Sequence, residues 1–229
     1  MTKIKLGSNI SDARGKLNGH VFSKNRYGNY IRNKVTPVNP QSAYQTSIRN
    51  RLAGISSAWA ALTAAQRNAW NAAVSSFAKT NIFGDLINPT GFELHQRINN
   101  NLVTCGQAVL TAPPVPSGVD AFTAFSVAAA AGAGTVTLTI APAIAADHVV
   151  KLYATPGVSA GISFVKSEYR LIDVLTDADV TPVALKVPYE ARFGAIPAAG
   201  LKIFVKAVQV VKATGIAGTT ISASCIVSA

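Results

Sequence analysis

The residues of this chain whose side chains could support catalysis or hold a metal ion are few and scattered. The histidines lie in three separate segments: His20, His95 and His148. None has a second histidine or a cysteine at the spacing of a metal site. Asp173, Asp177 and Asp179 cluster in IDVLTDADVTP, where a weak cation site is one interpretation. A calcium-binding loop would need more oxygen ligands and a glycine at its sharp turn.

The motifs of nucleophilic and phosphate chemistry are also missing from the sequence. There is no GxSxG turn, no P-loop and no GxGxxG that opens a helix. The two cysteines, Cys105 and Cys225, lie far apart, and we interpret both as reduced, small apolar residues. We therefore expect a protein that is not an enzyme and that needs neither a metal nor another cofactor.

The strongest chemical signal is positive charge concentrated near the N-terminus. Residues 1–51 hold ten of the 21 Lys and Arg and a single acid, Asp12. The other eleven bases are nearly balanced by nine acids, so most of the net charge of +11 belongs to this region. Such asymmetry is typical of segments that seek nucleic acid or acidic protein surfaces.

We select eight residues of this region as candidate partner-binding residues: Arg14, Lys16, Lys24, Arg26, Tyr27, Tyr30, Arg32 and Lys34. The cations could contact phosphates while the tyrosines stack on bases. They could equally order on an acidic neighbouring subunit, since Arg and Tyr are enriched in interfaces. A basic tail that serves only solubility is the third interpretation.

The elements that must position these residues are an arm and a hairpin. We predict residues 1–39 to be a basic, extended arm in which GHVFSKNRYGNYIRNKV folds back around Tyr27-Gly28-Asn29. In that hairpin Tyr30, Arg32 and Lys34 would share one face, because side chains alternate along a strand.

Residues 40–110 are predicted to form a small helical unit. Asn39 and Pro40 suggest the start of a first helix, whose apolar stripe is Tyr44, Ile48, Leu52, Ile55 and Trp59. Thr63 with Gln66 and Thr90 with Glu93 have the spacing of capping boxes, which predicts two more helices. The third would carry the stripe Leu94, Ile98 and Leu102 and end near Gly106.

The C-terminal half has a different composition. A Pro-rich stretch at 111–120 predicts a linker, and seven candidate strands follow in 121–229, among them TVTLTI, TPVALKVPY and LKIFVKAVQVVK. Short strands at this spacing favour an antiparallel β-sandwich of the immunoglobulin or fibronectin type III kind. The predicted fold class is therefore α+β and multidomain, with an arm, a helical unit and a sandwich.

Hydropathy indicates neither a membrane protein nor a secreted one. The start, MTKIKLGSN, lacks the apolar stretch of a signal peptide, and no run of about twenty apolar residues is present. We expect synthesis in a cytoplasm and no contact with a membrane.

One part of the chain resembles a known group of proteins. Residues 15–75 contain Arg26-Tyr27-Gly28, Asn39-Pro40 and LTAAQRNAWN at 62–71, with Lys24 where an Arg is expected. These motifs are similar to an uncharacterised family encoded in tailed phages and prophages. The resemblance implies a phage context, in which small immunoglobulin-like modules commonly serve as structural and decoration parts.

The expected function is therefore that of a virion structural protein, a component of the capsid, neck or tail. It would dock on other virion proteins and on copies of itself through its basic arm, after assembly in the host cytoplasm. The alternative is a DNA-associated protein that is packaged with the phage genome or bound to it.

Overall fold

The computed structural model describes residues 2–10 and 12–229, so positions 1 and 11 of the predicted arm lie outside the described residues. The chain is α+β, with four α-helices in its described part and most strands in the C-terminal part. It divides into two compact units, residues 1–95 and 96–229. The third helix crosses this division. None of the helices in the described part has the length and apolar character needed to span a bilayer.

The N-terminal region is a four-stranded antiparallel sheet rather than an extended arm. Its strands are β1 (Thr2–Ile4), β2 (Gly15–Leu17), β3 (His20–Asn25) and β4 (Gly28–Asn33), in the spatial order β1-β4-β3-β2. β3 and β4 form the predicted hairpin. Its two-residue loop is Arg26-Tyr27 and not Tyr27-Gly28-Asn29 as predicted, because Gly28 pairs with Asn25 and Asn29 with Lys24. Gly28 has a φ of +102°, which glycine tolerates because it lacks a Cβ. β1 and β2 pair with the two outer edges of the hairpin, so its backbone groups find partners there.

The three predicted helices are present. They are α1 (Ala43–Ala61), α2 (Ala64–Ala73) and α3 (Gly91–Thr104); a short 3-10 helix (Val74–Phe77) and a small hairpin of β5 (Lys79–Thr80) and β6 (Leu86–Ile87) lie between α2 and α3. Both predicted capping boxes are confirmed. Thr63 and Gln66 exchange hydrogen bonds with each other's backbone N–H groups, and so do Thr90 and Glu93.

The predicted start of α1 is wrong. Ser42 is the N-cap residue, with its hydroxyl accepting from the backbone N–H of Gln45, and Gln41 before it has a φ of +47°. Asn39 instead accepts a hydrogen bond from the guanidinium of Arg49, at 2.8 Å. Helix α1 therefore begins three residues after Pro40, because a hydroxyl at position 42 is free to cap it.

The core of the first unit lies where the helices meet. Ile55, Trp70 and His95 are buried, and the ring of His95 contacts both tryptophans edge-on. The centroid of the His95 ring lies 5.3 Å from that of Trp59 and 5.1 Å from that of Trp70. The interpretation of the tryptophans as core residues is confirmed for Trp70, which is fully buried, while Trp59 is partly buried.

The second unit contains two antiparallel sheets. Its strands are β7 (Ala124–Ala130), β8 (Thr135–Ala141), β9 (His148–Ala154), β10 (Val158–Ser159), β11 (Arg170–Leu175), β12 (Val183–Ala184), β13 (Leu201–Val211) and β14 (Ala217–Ile226). In the five-stranded sheet β13 pairs with β9, β10 and β14, and β11 pairs with the far edge of β9. The three-stranded sheet has the order β12-β8-β7.

One hydrophobic cluster joins these two sheets. On β13 the buried residues are Ile203, Val205 and Ala207; on β8 they are Val136, Leu138 and Ile140. The alternation is that of strands with one face in a core and one face away from it. The strand signal in TVTLTI and LKIFVKAVQVV is thereby confirmed, because the period of two coincides with the burial.

The prediction of a strand at TPVALKVPY is largely wrong. Only Val183–Ala184 pair with β8, and the chain then forms α4 (Lys186–Phe193), which ends at Gly194. Leu185, Tyr189 and Phe193 are spaced by four, the period of a helix face, and the first two are fully buried. The buried Tyr189 hydroxyl donates to the backbone carbonyl of Thr155, at 2.9 Å.

The C-terminal half of α3 packs against the turn between β13 and β14. The side-chain amide of Asn101 donates to the carbonyl of Gly215, at 2.8 Å. Asn101 also accepts from the ammonium of the buried Lys151 on β9, at 2.6 Å. The predicted stripe of α3 is confirmed, since Leu94, Ile98 and Leu102 are all buried.

Gly215 is the tightest point of this packing, and its substitution by alanine should destabilise the second unit. The residue has a φ of +67°, and a Cβ would lie 2.8 Å from both the Ile98 carbonyl oxygen and Leu102 Cγ. We expect Gly215→Ala to lower the free energy of unfolding by roughly 2–4 kcal/mol, combining left-handed strain with overpacking. Urea denaturation followed by circular dichroism measures it. Gly161→Ala is the control, because its Cβ would meet no atom within 4 Å; equal stability of the two variants would contradict the prediction.

Candidate functional site

The N-terminal sheet has one basic face. Residues directly opposite each other on antiparallel strands point to the same side. Lys16 lies opposite Val21, which lies opposite Arg32, and Lys3 lies opposite Tyr30, which lies opposite Ser23. We call the face that carries these six residues the basic face. The other side of the sheet carries the apolar residues Ile4, Leu17, Phe22 and Ile31, together with Lys24.

Three cations of the basic face are exposed, and within the described chain their side chains form no hydrogen bond and no ion pair. They are Lys16, Arg32 and Lys34. Lys34 continues β4, since its backbone N–H donates to the carbonyl of Gly19, at 2.7 Å. Strands are spaced about 4.8 Å apart, so the backbones of Lys16 and Arg32, which are separated by β3, lie roughly 10 Å apart. An anionic partner could approach all three side chains from one side.

The two candidate tyrosines are engaged by the chain itself. The ammonium of Lys3 lies 5.7 Å from the ring centroid of Tyr27 and 5.9 Å from that of Tyr30, and it donates to the Tyr27 carbonyl at 3.1 Å. Such contacts hold a cation against the faces of the rings. Both tyrosines are partly buried, so in this arrangement their rings support the sheet.

The hairpin loop is held by a carboxylate of α3. One oxygen of Glu93 accepts from the guanidinium of Arg26 at 3.3 Å, from the hydroxyl of Tyr27 at 3.1 Å and from the backbone N–H of Thr90 at 2.8 Å. The residue that caps the helix therefore also anchors the loop of the basic sheet. The sequence predicted the cap but contained no signal for the contact with residues 26 and 27.

These contacts determine the charge state of Glu93. Partial burial raises the pKa of its carboxyl, but the Thr90 N–H, the Tyr27 hydroxyl and the Arg26 guanidinium together lower it further, so the net shift is downward. The contacts therefore favour the ionised carboxylate more than in an ordinary glutamate.

The remaining candidates lie apart from the basic face. Arg14 pairs with Asp12 at 3.0 Å on the surface. Lys24 is exposed on the opposite side of the sheet, across from Asn29. The structure thus brings Lys16, Arg32 and Lys34 together and places Arg26 and Tyr27 in an internal contact. Lys3, which the sequence analysis did not select, lies on the basic face.

The first unit has a large charge surplus. Residues 1–95 contain twelve Lys and Arg and three acids, whereas residues 96–229 contain nine Lys and Arg and seven acids. All three acids of the first unit are in ion pairs within it: Asp12 with Arg14, Asp85 with Lys5 and Glu93 with Arg26. Lys16, Arg32 and Lys34 therefore have no carboxylate of their own unit left to neutralise them. This excess of positive charge favours an anionic partner.

The aspartate cluster has local roles. Asp177 pairs with Lys212 at 2.9 Å, and Asp179 accepts from the backbone N–H of Thr176 at 2.7 Å. Across residues 2–10 and 12–229, no group of three or more His, Cys, Asp or Glu side chains is placed to hold a metal ion.

Comparison with known proteins gives this site no precedent: no family model, no curated protein and no solved structure matches the chain.

The Glu93 contacts predict a pH dependence of the first unit. Because the pKa of Glu93 is lowered in the folded state, its contacts stabilise that state at pH values above the ordinary pKa of a glutamate. This contribution is lost as the pH falls through the pKa of Glu93 in the folded state. Glu93→Gln keeps the capping geometry but removes the charge. We expect it to lower the free energy of unfolding at pH 7 by about 0.2–1 kcal/mol, as for exposed ion pairs, and we expect this difference to shrink as the pH is lowered.

Both tryptophans of the chain, Trp59 and Trp70, lie in the first unit. Urea unfolding followed by tryptophan fluorescence from pH 2 to pH 7 therefore reports on this unit. Asp12→Asn, which removes a surface charge that does not contact the hairpin loop, is the control. A pH dependence that is the same in the wild type and in Glu93→Gln would show that the Glu93 contacts contribute nothing.

Proposed function

We propose that this chain is a structural protein of a tailed-phage virion, a capsid, neck or tail component that docks on neighbouring subunits through its basic N-terminal sheet. Its C-terminal sheets would form an immunoglobulin-like module that supplies shape or an outward-facing part. Partners would be other virion proteins and copies of the same chain, with assembly in the host cytoplasm.

The observation that carries the proposal is a charged sheet without a core of its own. No residue within β1–β4 is fully buried, although one side carries four large apolar side chains. On the other side Lys16, Arg32 and Lys34 have no acid to pair with. A sheet that buries so little is only marginally stable alone, so we infer that its faces are completed in an assembly.

Two further features support the proposal. The phage context rests on the resemblance of residues 15–75 to phage and prophage proteins. The second unit contributes eight strands, two antiparallel sheets and one shared cluster of buried side chains, which suits a rigid repeated module. Many copies in one particle would act together, so that each contact could be weak.

The alternative function is DNA binding in the virion or on the phage genome. The same three free cations favour it, because they could contact successive phosphates from one side. The engagement of Tyr27 and Tyr30 by Lys3 and Glu93 argues against stacking of bases on these rings in the observed arrangement. The two functions therefore differ in whether the basic face meets a protein or a polyanion.

Assembly is tested by incorporation into particles. Purified virions should contain a band near 23.8 kDa. The triple variant Lys16→Gln, Arg32→Gln, Lys34→Gln should be incorporated at least about tenfold less, because each lost charge weakens a contact that is repeated in every copy. The charge-matched control is Lys186→Gln, Arg192→Gln, Lys212→Gln in the second unit, which also removes two lysines and one arginine. Virions without the band, or equal incorporation of the two triple variants, would overturn the proposal.

DNA binding is tested by titration of the full chain against duplex DNA at about 50 and about 200 mM salt, where phosphate-contacting proteins lose affinity steeply. The assembly function predicts no appreciable binding at either concentration. Tight binding at low salt, abolished by the basic-face triple variant and retained by its control, would put the DNA-associated function first.

A further inference from the structure

The second unit carries a different surface with chemistry of its own. Along β13 the buried residues alternate with Lys202, Phe204 and Lys206, which lie on the outer, partly exposed face of the five-stranded sheet. On the neighbouring strands Tyr153 and Ser222 lie directly opposite Lys206. Helix α3 reaches this face through the contact of Asn101 with Lys151, two residues before Tyr153.

A groove lies between this face and the loop that precedes β11. Its lining is Ser163, Phe164, Val165, Lys166, Tyr169, Phe204, Lys206 and Ser222, which we call the aromatic–lysine surface. The volume is about 410 Å³, within the range of small-ligand sites. None of the eight lining residues is acidic, so an occupant with negative charge is favoured.

The lysines are held in place by aromatic rings. The ammonium of Lys206 lies 4.3 Å from the ring centroid of Tyr169 and 4.8 Å from that of Tyr153. That of Lys202, two residues before Phe204 on β13, lies 4.8 Å from the centroid of the Phe204 ring. Cation–π contacts of this kind fix the positions of the charges before a ligand arrives, which lowers the entropy cost of binding.

Phe164 distinguishes this surface from a simple basic patch. Its side chain is 81% exposed at the rim of the groove, beside Lys166. An isolated exposed apolar residue is ordinary, but here an exposed aromatic ring lines one groove together with two lysines and two further rings. Rings that offer a face to stack on, set among cations, are the features by which proteins bind single-stranded nucleic acids.

We propose that the aromatic–lysine surface binds single-stranded nucleic acid. An unpaired base stacks on Phe164, and the flanking phosphates approach Lys166, Lys202 and Lys206. A duplex would not present a free base to the ring, and an acidic peptide or a sulfated glycan would use the lysines without needing Phe164. The site is separate from the basic face of the first unit and does not depend on the function proposed for that face.

The test uses the full chain with Lys16→Gln, Arg32→Gln and Lys34→Gln, so that the basic face of the first unit does not contribute. Binding of a fluorescently labelled oligothymidine of fifteen nucleotides is measured by fluorescence anisotropy at about 50 mM salt. Phe164→Ala should weaken binding about 5- to 150-fold, the effect of losing one stacked base, while Phe164→Trp should retain it. Because Phe164 is exposed, neither substitution removes packing from the fold. Lys186→Gln, a change elsewhere in the same unit, should leave the affinity unchanged.

Two further probes separate stacking from charge. An abasic oligonucleotide of the same length carries the same phosphates without bases, and it should bind more weakly and be insensitive to Phe164→Ala. Heparin should show the same insensitivity. The proposal is overturned if Phe164→Ala binds oligothymidine as tightly as its parent, or if the abasic strand binds equally well. Heparin binding that depends on Phe164 would overturn it in favour of an anionic glycan.

Discussion

The carboxylate of Glu93 connects the two parts of the first unit. It caps the first turn of α3 through the Thr90 N–H, and the same oxygen accepts from the Tyr27 hydroxyl and the Arg26 guanidinium in the hairpin loop. The N-terminal sheet buries no residue completely, so contacts of this kind, with the Lys5–Asp85 ion pair, orient it. An acid that also caps a helix therefore helps to position the basic face.

That commitment explains the electrostatic character of the first unit. Its three carboxylates all serve local ion pairs, so none of them neutralises Lys16, Arg32 or Lys34. Lys16, Arg32 and Lys34 gain nothing within the fold from their charge, and their mutual repulsion opposes folding slightly. A polyanion or an acidic subunit surface would relieve that repulsion, whichever of the two is the partner.

The two surfaces use the same residue types in different ways. In the first unit Tyr27 and Tyr30 are engaged by Lys3 and Glu93, whereas Lys16, Arg32 and Lys34 are exposed. In the second unit Tyr153 and Tyr169 hold Lys206, and Phe164 is left open to solvent. The aromatic rings of the basic N-terminal segment are thus supports, whereas the ring at the groove is available to a ligand.

The local sequence determined much of the fold. The hydrogen bonds of a capping box join two residues that are three positions apart. The starts of α2 and α3 were therefore predicted correctly from Thr63 with Gln66 and from Thr90 with Glu93. Strict alternation identified β8 and β13, because their faces differ in burial. The start of α1 was missed because Ser42 competed with Asn39 as a cap. Helix α4 was missed because TPVALKVPY was interpreted as a strand, although Leu185, Tyr189 and Phe193 have the four-residue spacing of a helix face.

The sequence by itself determined the charge asymmetry, the hairpin, the caps and the alternating strands, since each of these follows from residues close together along the chain. Only the tertiary structure decided which cations stay free, because Glu93 and Arg26 are 67 residues apart and their contact has no local signature. It also decided the groove of Phe164, Phe204 and Lys206, where strand pairing and a loop bring together residues about forty positions apart. Such surfaces form when residues far apart along the chain pack together. Neither hydrophobic periodicity nor motif spacing reports on contacts of that kind.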